Sequence, residues 1–278
     1  MAKVRLPDGR EVPQLGQGTW MIGEGRRPAK EEEAALALGI DMGLTLIDTA
    51  EMYGDGKSEE LIGRVIKGRR DGLFLVSKVY PHNASARGVP AACERSLKRL
   101  GTDRIDLYLL HWRGGTPLSE TLAAFEKLTA QGKIGAWGVS NFDADDMEEL
   151  ASVAGGGNCA TNQVLYNPLS RGIEFDLLPQ IARAGGTVMA YSPFGHSGGP
   201  LRSQALVTVA KRHDATVAQI ALAWALRHDH VIVIPKAGSA AHVRENVGAL
   251  QISLTADDLA VIDAAHAPPR RKQPLAML

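Results

Sequence analysis

Short apolar runs rich in β-branched residues recur along the chain and alternate with segments whose apolar residues repeat at helical spacing. The first pattern is typical of buried strands and the second of amphipathic helices. Several runs are apolar at nearly every position, which indicates burial on both faces, as in parallel sheets. Strands are therefore predicted at 14–20, 44–48, 73–79, 105–110, 134–140, 160–165, 187–191 and 231–234.

The intervening segments carry the signals with which helices begin and end. Asp143 is predicted to be an N-cap, and Thr216 and Thr255 open capping boxes with Gln219 and Asp258. Helices are predicted from Pro28, over 58–67, over 90–100 before Gly101, after Thr116–Pro117, from Asp143, over 175–184, from Thr216 and over 255–265. The tail, rich in Pro and Arg, is predicted to be irregular.

Eight strand and helix units in succession, with no linker between them, predict a (β/α)8 barrel formed by a single domain over 1–278. An open, doubly wound sheet is the alternative that the same alternation allows. Ahead of the first unit, 4–6 and 10–12 flank the turn residues Pro7, Asp8 and Gly9. This pattern predicts an N-terminal β-hairpin.

Composition and charge exclude several classes of protein. The 278 residues are 45% hydrophobic and 22% charged, as in ordinary globular domains, and 31 basic residues balance 31 acidic ones. A chain without basic excess is not expected to bind nucleic acid. Cys93 and Cys159 cannot build a disulfide framework, and no apolar run has the length of a bilayer span. A monomeric, cytoplasmic protein with no membrane partner is therefore expected.

Polar and aromatic side chains collect where the predicted strands end. The carboxyl ends of barrel strands meet at one mouth, where such barrels place their chemistry. A tyrosine acts there as a general acid if a neighbouring cation lowers its pKa, and Tyr53, Lys78 and the carboxylate of Asp48 supply such a set. The other strand ends contribute Trp20, His111, Trp112, Ser140, Asn141, Gln163, Tyr191, Ser192, Pro235 and Lys236.

These motifs resemble those of the aldo-keto reductase superfamily. The catalytic tetrad of that superfamily resembles the set formed by Asp48-x-x-x-x-Tyr53-Gly54, Lys78 and His111-Trp112. The cofactor-binding motifs of that superfamily resemble four segments of this chain: Gly135-x-x-Gly138-Val-Ser140-Asn141-Phe142, Gln163, Tyr191-Ser192-Pro193 and Ile234-Pro235-Lys236. Within the superfamily, Glu51-Met52 and the segments 78–81 and 160–166 resemble most a bacterial branch that reduces methylglyoxal and similar small aldehydes.

The resemblance implies NADPH-dependent reduction of small aldehydes and ketones to alcohols by hydride transfer. Tyr53 would donate the proton, Lys78 would lower its pKa, and Asp48 would hold Lys78. His111 would orient the carbonyl, and Tyr191 would lie against the nicotinamide. Cofactor contacts are expected at Thr19, Trp20, Asp48, Ser140, Asn141, Gln163, Tyr191, Ser192, Lys236, Ser239, His242, Glu245 and Asn246. The substrate is expected to lie against Trp20, Tyr80, His111 and Trp112.

One position departs from the family pattern. The lysine after the last strand is usually followed, six residues on, by an arginine that grips the adenosine phosphate. His242 stands there instead, and Arg244 comes two residues later. Lys236 with Ser239 still supports a 2′-phosphate, although a lone lysine meets it as a point charge rather than as a planar fork. NADPH is expected to be preferred over NADH, with a weaker grip than an arginine would give.

Two other functions remain open on the sequence: a redox-sensing regulatory subunit of the same fold with little turnover, and another barrel enzyme such as a sugar-phosphate isomerase. Three further motifs receive no function. Gly16-x-Gly18 lacks the third glycine of a dinucleotide fingerprint, and Gly155-Gly-Gly157 lacks the lysine of a phosphate loop. His228-Asp-His230 precedes a strand, at the barrel end away from the chemistry, so no metal site is expected.

Overall fold

The computed structural model describes residues 2–278, which form ten strands and ten α-helices. The strands are β1 (Lys3–Arg5), β2 (Glu11–Pro13), β3 (Gln17–Gly18), β4 (Leu46–Asp48), β5 (Phe74–Val79), β6 (Ile105–Leu110), β7 (Ile134–Ser140), β8 (Thr161–Leu165), β9 (Thr187–Tyr191) and β10 (Val231–Val233). The helices are α1 (Ala29–Asp41), α2 (Lys57–Ile66), α3 (Gly88–Leu100), α4 (Leu118–Ala130), α5 (Ala144–Ser152), α6 (Leu177–Arg183), α7 (Gln204–Arg212), α8 (Val217–Ala225), α9 (Ala240–Gly248) and α10 (Ala256–Ala265).

Strands β3 to β10 form one sheet, and each strand is parallel to its neighbours. The sheet closes on itself, because Leu15 bridges to Val233 and Gly18 bridges to Lys236 in the parallel sense. The segment around β3 thereby lies against β10 and the residues that follow it. The fold is the predicted (β/α)8 barrel, and the alternative of an open, doubly wound sheet is wrong.

Two glycines explain why the first and last strands can meet. A Cβ atom on Gly18 would lie 2.6 Å from the Ile234 carbonyl oxygen, and one on Gly16 would lie 2.6 Å from Leu46 Cδ2. At Gly18 the opposing atom is backbone, so this position requires glycine; at Gly16 a side chain would displace Leu46 and lie 3.0 Å from the Leu46 carbonyl oxygen. Here the Gly16-x-Gly18 pattern therefore serves close approach of strands. The regular strand is shorter than predicted, since pairing outside β3 is limited to isolated bridges.

The predicted N-terminal hairpin is present and covers the bottom of the barrel. Strands β1 and β2 pair antiparallel with Val4 opposite Val12. The side chains of Val4, Leu6 and Val12 are buried in one cluster with barrel-lining residues such as Leu107 and Met189. Two larger clusters lie between the strands and the surrounding helices. The cavity of the barrel mouth is consequently at the opposite end from the hairpin.

Several helix signals are confirmed, whereas some boundaries move. Asp143, Thr216 and Thr255 each cap a helix through a capping box. The strand predicted from 44 begins at Leu46, because the Leu44 N–H donates to a carbonyl at the end of α1. The tail beyond Ala265 contains neither helix nor strand, as predicted. Among residues 2–278, no helix combines the length and the apolar character needed to cross a bilayer.

Candidate active site

A cavity of about 440 Å³ opens at the carboxyl ends of the barrel strands. Most of the residues predicted to carry chemistry line it: Thr19, Trp20, Asp48, Tyr53, His111, Trp112, Ser140, Asn141, Gln163, Tyr191, Ser192 and Lys236. Their positions in the sequence are far apart, and they meet because parallel strands all end at this mouth.

Asp48, Lys78 and Tyr53 form a hydrogen-bonded relay at the floor of the cavity. The Lys78 ammonium donates to Asp48 Oδ2 at 2.9 Å and to the Tyr53 hydroxyl at 3.1 Å. Its third proton goes to the Thr49 carbonyl at 2.8 Å. Lys78 is fully buried, and Tyr53 borders the cavity. All three donors of the ammonium are thus satisfied, which fixes its position under the phenol.

Neighbouring strands and one tight turn bring the relay together. Asp48 ends β4 and Lys78 lies near the end of β5, and these strands pair directly in the barrel. Just after Tyr53, Gly54 and Asp55 both take left-handed backbone angles, with φ of 56° and 58°. The turn keeps Tyr53 next to the Lys78 ammonium instead of letting the chain continue outward.

The pKa of Tyr53 differs from the sequence prediction. Burial raises the pKa of the phenol above its usual value of 10.0, the Lys78 ammonium lowers it, and the Asp48 carboxylate raises it. The net shift is upward, so the prediction that Lys78 brings this pKa below its ordinary value is wrong. Lys78 offsets part of the effect of burial, and the phenol keeps its proton at neutral pH. The protonated phenol is the form that a general acid requires.

The charge of Lys78 is retained despite its burial. Burial alone would lower the pKa of the ammonium, but Asp48 and Tyr53 raise it above its usual value. Breaking such a buried pair leaves an uncompensated charge, which is far more costly than at a surface. The relay therefore contains a permanent cation at neutral pH, 3.1 Å from the Tyr53 oxygen.

His111 is a neutral imidazole beside the relay. Its side chain is almost buried, and burial followed by the charge of Lys78 lowers its pKa from 6.5 to about 2. The ring lies edge-on to Tyr53 with 5.9 Å between centroids. Its Nδ1 is buried and has no hydrogen-bond partner within the described part of the chain, residues 2–278. A neutral imidazole here can donate one hydrogen bond to a bound oxygen.

A second hydrogen-bonded group joins the ends of β7, β8 and β9. The Tyr191 hydroxyl donates to Asn141 Oδ1 at 2.9 Å, and the Asn141 amide donates to Ser140 Oγ at 3.2 Å. Ser140 in turn donates to the Gln163 carbonyl at 2.8 Å. The sequence did not predict that the Gln163 amide donates to Asp48 Oδ1 at 2.8 Å, which ties this group to the relay.

Backbone strain concentrates at the same mouth. Met21, Asn141 and Ser192 line the cavity and have φ of 66°, 58° and 48°. Residues with a Cβ atom rarely occupy this left-handed region, and such strain often marks functional sites. At Asn141 the conformation accompanies the bonds to Ser140 and Tyr191, so the strain positions a side chain at the cavity wall.

One residue predicted to contact the substrate packs beside the aromatic side chains that line the cavity. Tyr80 does not line the cavity; its ring packs edge-on against Trp112 at 5.8 Å and lies 6.4 Å from His111. Its backbone N–H is fixed by the buried Glu51 carboxylate at 2.9 Å. Tyr80 therefore packs against side chains that line the cavity, and its contact with the substrate stays a prediction. Sequence reasoning also missed the apolar walls made by Met21, Met52, Phe194, Met277 and Leu278, which lie in loops and the tail without periodic signal.

The segment expected to hold the adenosine end follows β10. Lys236 lies at the cavity edge, and Ser239 caps helix α9, where its hydroxyl accepts from the His242 N–H at 3.4 Å. His242 is exposed, whereas Asn246 is buried. Ser239, His242, Glu245 and Asn246 do not line the cavity, so their predicted contacts would lie beyond it, along α9.

The motifs left without a function have structural surroundings. His228 Nε2 lies 3.3 Å from the Tyr166 hydroxyl, and burial lowers the pKa of His228 to about 4. Across residues 2–278, no three His, Cys, Asp or Glu side chains are grouped to hold a metal ion. Gly156–Asn158 is a short 3-10 turn. Burial raises the pKa of the Cys93 thiol to about 12, which agrees with an unreactive side chain.

Comparison with known proteins gives one family along nearly the whole chain. The sequence model of the Aldo/keto reductase family matches residues 14–267. Methylglyoxal reductase YeaE of Escherichia coli is 50% identical over 271 residues, covering 96% of this chain and 95% of that protein. Glyoxal reductase of Bacillus subtilis is 36% identical, covering 95% and 92%. A crystal structure of an aldo/keto reductase from Klebsiella pneumoniae, in complex with NADP and acetate, is 50% identical with a TM-score of 0.97 and 99% coverage of both chains.

Proposed function

Since the chain belongs to the aldo/keto reductase family, we propose that it uses NADPH to reduce small aldehydes of the methylglyoxal type to alcohols. The observation that carries the proposal is the relay of Asp48, Lys78 and Tyr53 beside a neutral His111 at the floor of the cavity. Support for the substrate class comes from the relatives named methylglyoxal reductase and glyoxal reductase. Support for the cofactor comes from the Klebsiella pneumoniae enzyme in complex with NADP.

The residues around the cavity fit a nicotinamide dinucleotide. The ring of Tyr191 and the amides of Asn141 and Gln163 line the cavity next to the relay, and they can face a planar ring and its carboxamide. Lys236 at the cavity edge and Ser239 at the start of α9 would face the phosphates. When bound, NADPH supplies the hydride; the protein residues position the substrate and handle its proton.

Tyr53 would act as the general acid. A carbonyl oxygen placed against the phenol gains negative charge as its carbon is reduced, and Tyr53 gives it a proton. The charge then left on the phenolate lies 3.1 Å from the Lys78 ammonium. Because Asp48 and the Thr49 carbonyl hold that ammonium on its other sides, it stabilises the phenolate without rearrangement.

His111 would orient the substrate carbonyl, and the cavity walls would limit the size of the substrate. A neutral imidazole donates one hydrogen bond and brings no net charge into the site. The walls beside it are aromatic or apolar, with Trp20, Trp112 and Met52 facing the cavity. Walls of this kind accept a small, weakly polar aldehyde, while the polar groups at the floor bind its oxygen.

The proposal is tested by Tyr53→Phe, which keeps the ring and removes the proton donor. Turnover of methylglyoxal is followed by the loss of NADPH absorbance, and the Kd of NADPH is measured separately by fluorescence. We expect kcat to fall by about 10²–10⁴-fold with an almost unchanged Kd, which is the usual contribution of general acid catalysis. Tyr108→Phe is the matched control, because Tyr108 is buried against Phe125 away from the cavity.

Other outcomes would favour the competing functions. A wild-type protein that binds NADPH but turns over no aldehyde in a broad panel would favour the regulatory subunit. Absence of NADPH binding would contradict the proposal and reopen another barrel activity. Near-normal kcat in Tyr53→Phe would remove Tyr53 from the role of acid, and an equal loss of kcat in Tyr108→Phe would show that the effect is not specific to Tyr53.

A further inference from the structure

The loop between β3 and α1 brings an arginine to the lysine that follows β10. A Cβ atom on Gly238 would lie 3.1 Å from Arg27 Cδ and 3.4 Å from Arg27 Nε. The same point lies 3.4 Å from Lys236 Nζ. The guanidinium and the ammonium therefore flank Gly238, and Arg27 Nε and Lys236 Nζ are no farther apart than twice 3.4 Å. Two cations from opposite ends of the sequence meet at one spot.

Gly238 is what permits this approach. Its backbone does not take the left-handed conformation, so the position does not require glycine for its φ angle. The first atom of a side chain would instead press on Arg27 Cδ, at a distance shorter than most contacts of a Cβ atom. The absence of a side chain at Gly238 lets Arg27 lie beside Lys236.

The two cations are poorly neutralised by the protein itself. Arg27 pairs with Glu31 of α1 at 2.7 Å, but both side chains are about two-fifths exposed, and surface pairs of this kind are weak. Within residues 2–278, no carboxylate lies within 4.0 Å of Lys236 Nζ. Burial lowers the pKa of Lys236; Glu32 and Glu24 oppose this shift, whereas Arg27 and Arg26 add to it. Like charges held together are favourable when an anion binds between them.

We infer that Arg27 is the second cation of the cofactor site and grips a phosphate group of NADPH together with Lys236. This inference rests on the proposed function. It answers the departure at His242, where the family pattern has an arginine: the planar fork of a guanidinium comes from the loop after β3 instead of from α9. Arg27 offers several N–H donors, of which the contact with Glu31 uses one, Nη1.

Two other arginines could be considered for this role, and each donates to a backbone carbonyl of its own segment. Arg244, on α9, donates to the Ala240 carbonyl of its own helix at 3.5 Å. Arg202 donates to the Ser197 carbonyl within its own loop at 2.6 Å. Neither has an atom among the three nearest to a Cβ atom on Gly238, where Lys236 Nζ lies, whereas Arg27 has two. The geometry therefore selects Arg27 over both.

The test is direct binding, measured as the Kd of NADPH and of NADH by fluorescence titration of the purified protein. For Arg27→Gln we expect NADPH to bind about 10- to 100-fold more weakly, the usual range for a hydrogen bond to a charged group. NADH lacks the 2′-phosphate, so an effect confined to NADPH identifies that phosphate as the partner. Equal weakening of both cofactors identifies the bridging phosphates and would show that Arg27 does not replace the arginine missing at His242. Either result supports the grip by Arg27.

A matched control and a second variant separate a specific effect of Arg27 from a general effect of removing a charge. Arg64→Gln removes an equal charge on α2 and releases Glu33 from a 2.7 Å pair. Glu33 lies on α1, as Glu31 does, so this variant should leave both Kd values unchanged. Gly238→Ala leaves every charge in place but pushes Arg27 away from Lys236, and it should weaken NADPH binding. The affinity of wild type for NADPH should fall with salt more steeply than that of Arg27→Gln, because one ionic contact is lost.

The failure of this inference differs from the failure of the proposed function. If wild type binds NADPH and Arg27→Gln binds it as tightly as Arg64→Gln does, Arg27 is not part of the phosphate site. If wild type does not bind NADPH, the proposed function fails as well. The measured Kd values of the wild type alone separate the two cases.

Discussion

His111 should impose a pH dependence on stability, although its residue type usually titrates near neutrality. The folded protein holds the pKa of His111 at about 2, because burial and then the Lys78 charge disfavour the imidazolium. In the unfolded chain the same side chain has its ordinary pKa of 6.5. Between these values the unfolded state binds a proton that the folded state does not. Stability is therefore lost as pH falls through 6.5, and continues to fall toward 2.

The size of the effect follows from these two pKa values. Each pH unit below the unfolded pKa costs about 1.4 kcal/mol for one proton. Lowering the pH from 7.5 to 5.0 should thus remove about 2 kcal/mol of unfolding free energy through His111 alone. Other histidines with lowered pKa values add to the total slope of the wild type, and His228 is one of them. The contribution of His111 is isolated by comparison with His111→Gln, which has no group that titrates there.

The assay is urea denaturation of wild type and His111→Gln at several pH values from 7.5 to 5.0. The difference in unfolding free energy between the two proteins should shift by about 2 kcal/mol in favour of the variant as pH falls. The ring signals of His111 in NMR spectra should also stay constant over this range. A difference that does not change with pH, or a His111 signal that titrates near 6.5, would refute the assignment of a neutral imidazole.

Two further changes test the relay and the barrel closure. Lys78→Met should cost about 3–5 kcal/mol of unfolding free energy, because it leaves the buried Asp48 carboxylate without its cation. Lys133→Met removes a lysine from an exposed pair and should cost at most about 1 kcal/mol. Equal costs for the two variants would contradict the argument. Gly18→Ala should lower stability by about 1–3 kcal/mol, since its methyl group would meet the Ile234 carbonyl at 2.6 Å, whereas Gly157→Ala has open space around it. Comparable denaturation midpoints for these two alanine variants would show that Gly18 is not needed for close approach.

The barrel and the order of its strands follow from the sequence alone. Strands buried on both faces must be apolar at nearly every position, and helices packed on them must be apolar along one stripe, so both leave a local pattern. Capping boxes such as those at Thr216 and Thr255 mark helix starts through hydrogen bonds three residues apart. The chemistry at the strand ends is predictable for the same reason, because a parallel barrel sends every strand end to one mouth.

Tertiary structure decided the features that depend on distances between loops and on burial. The pKa of Tyr53 is raised because burial outweighs a cation that the sequence identified correctly. The ring of Tyr80 packs edge-on against Trp112, a contact that its place after a strand does not specify. Both outcomes depend on how many atoms surround a side chain, and no spacing along the chain records that number.

The contacts made by loops and by the tail are likewise absent from any local pattern. Met277 and Leu278 reach the cavity from a segment without secondary structure, and Arg27 meets Lys236 because Gly238 leaves room between them. Loops run over the surface without the repeating pattern that packing imposes on helices and strands. Their residue types therefore do not indicate which residues they contact. The sequence determined the barrel and the set of polar side chains at its mouth, because burial and hydrogen bonding act there at fixed spacing. The folded positions of the loops decided which cations lie next to each other and which apolar side chains line the cavity.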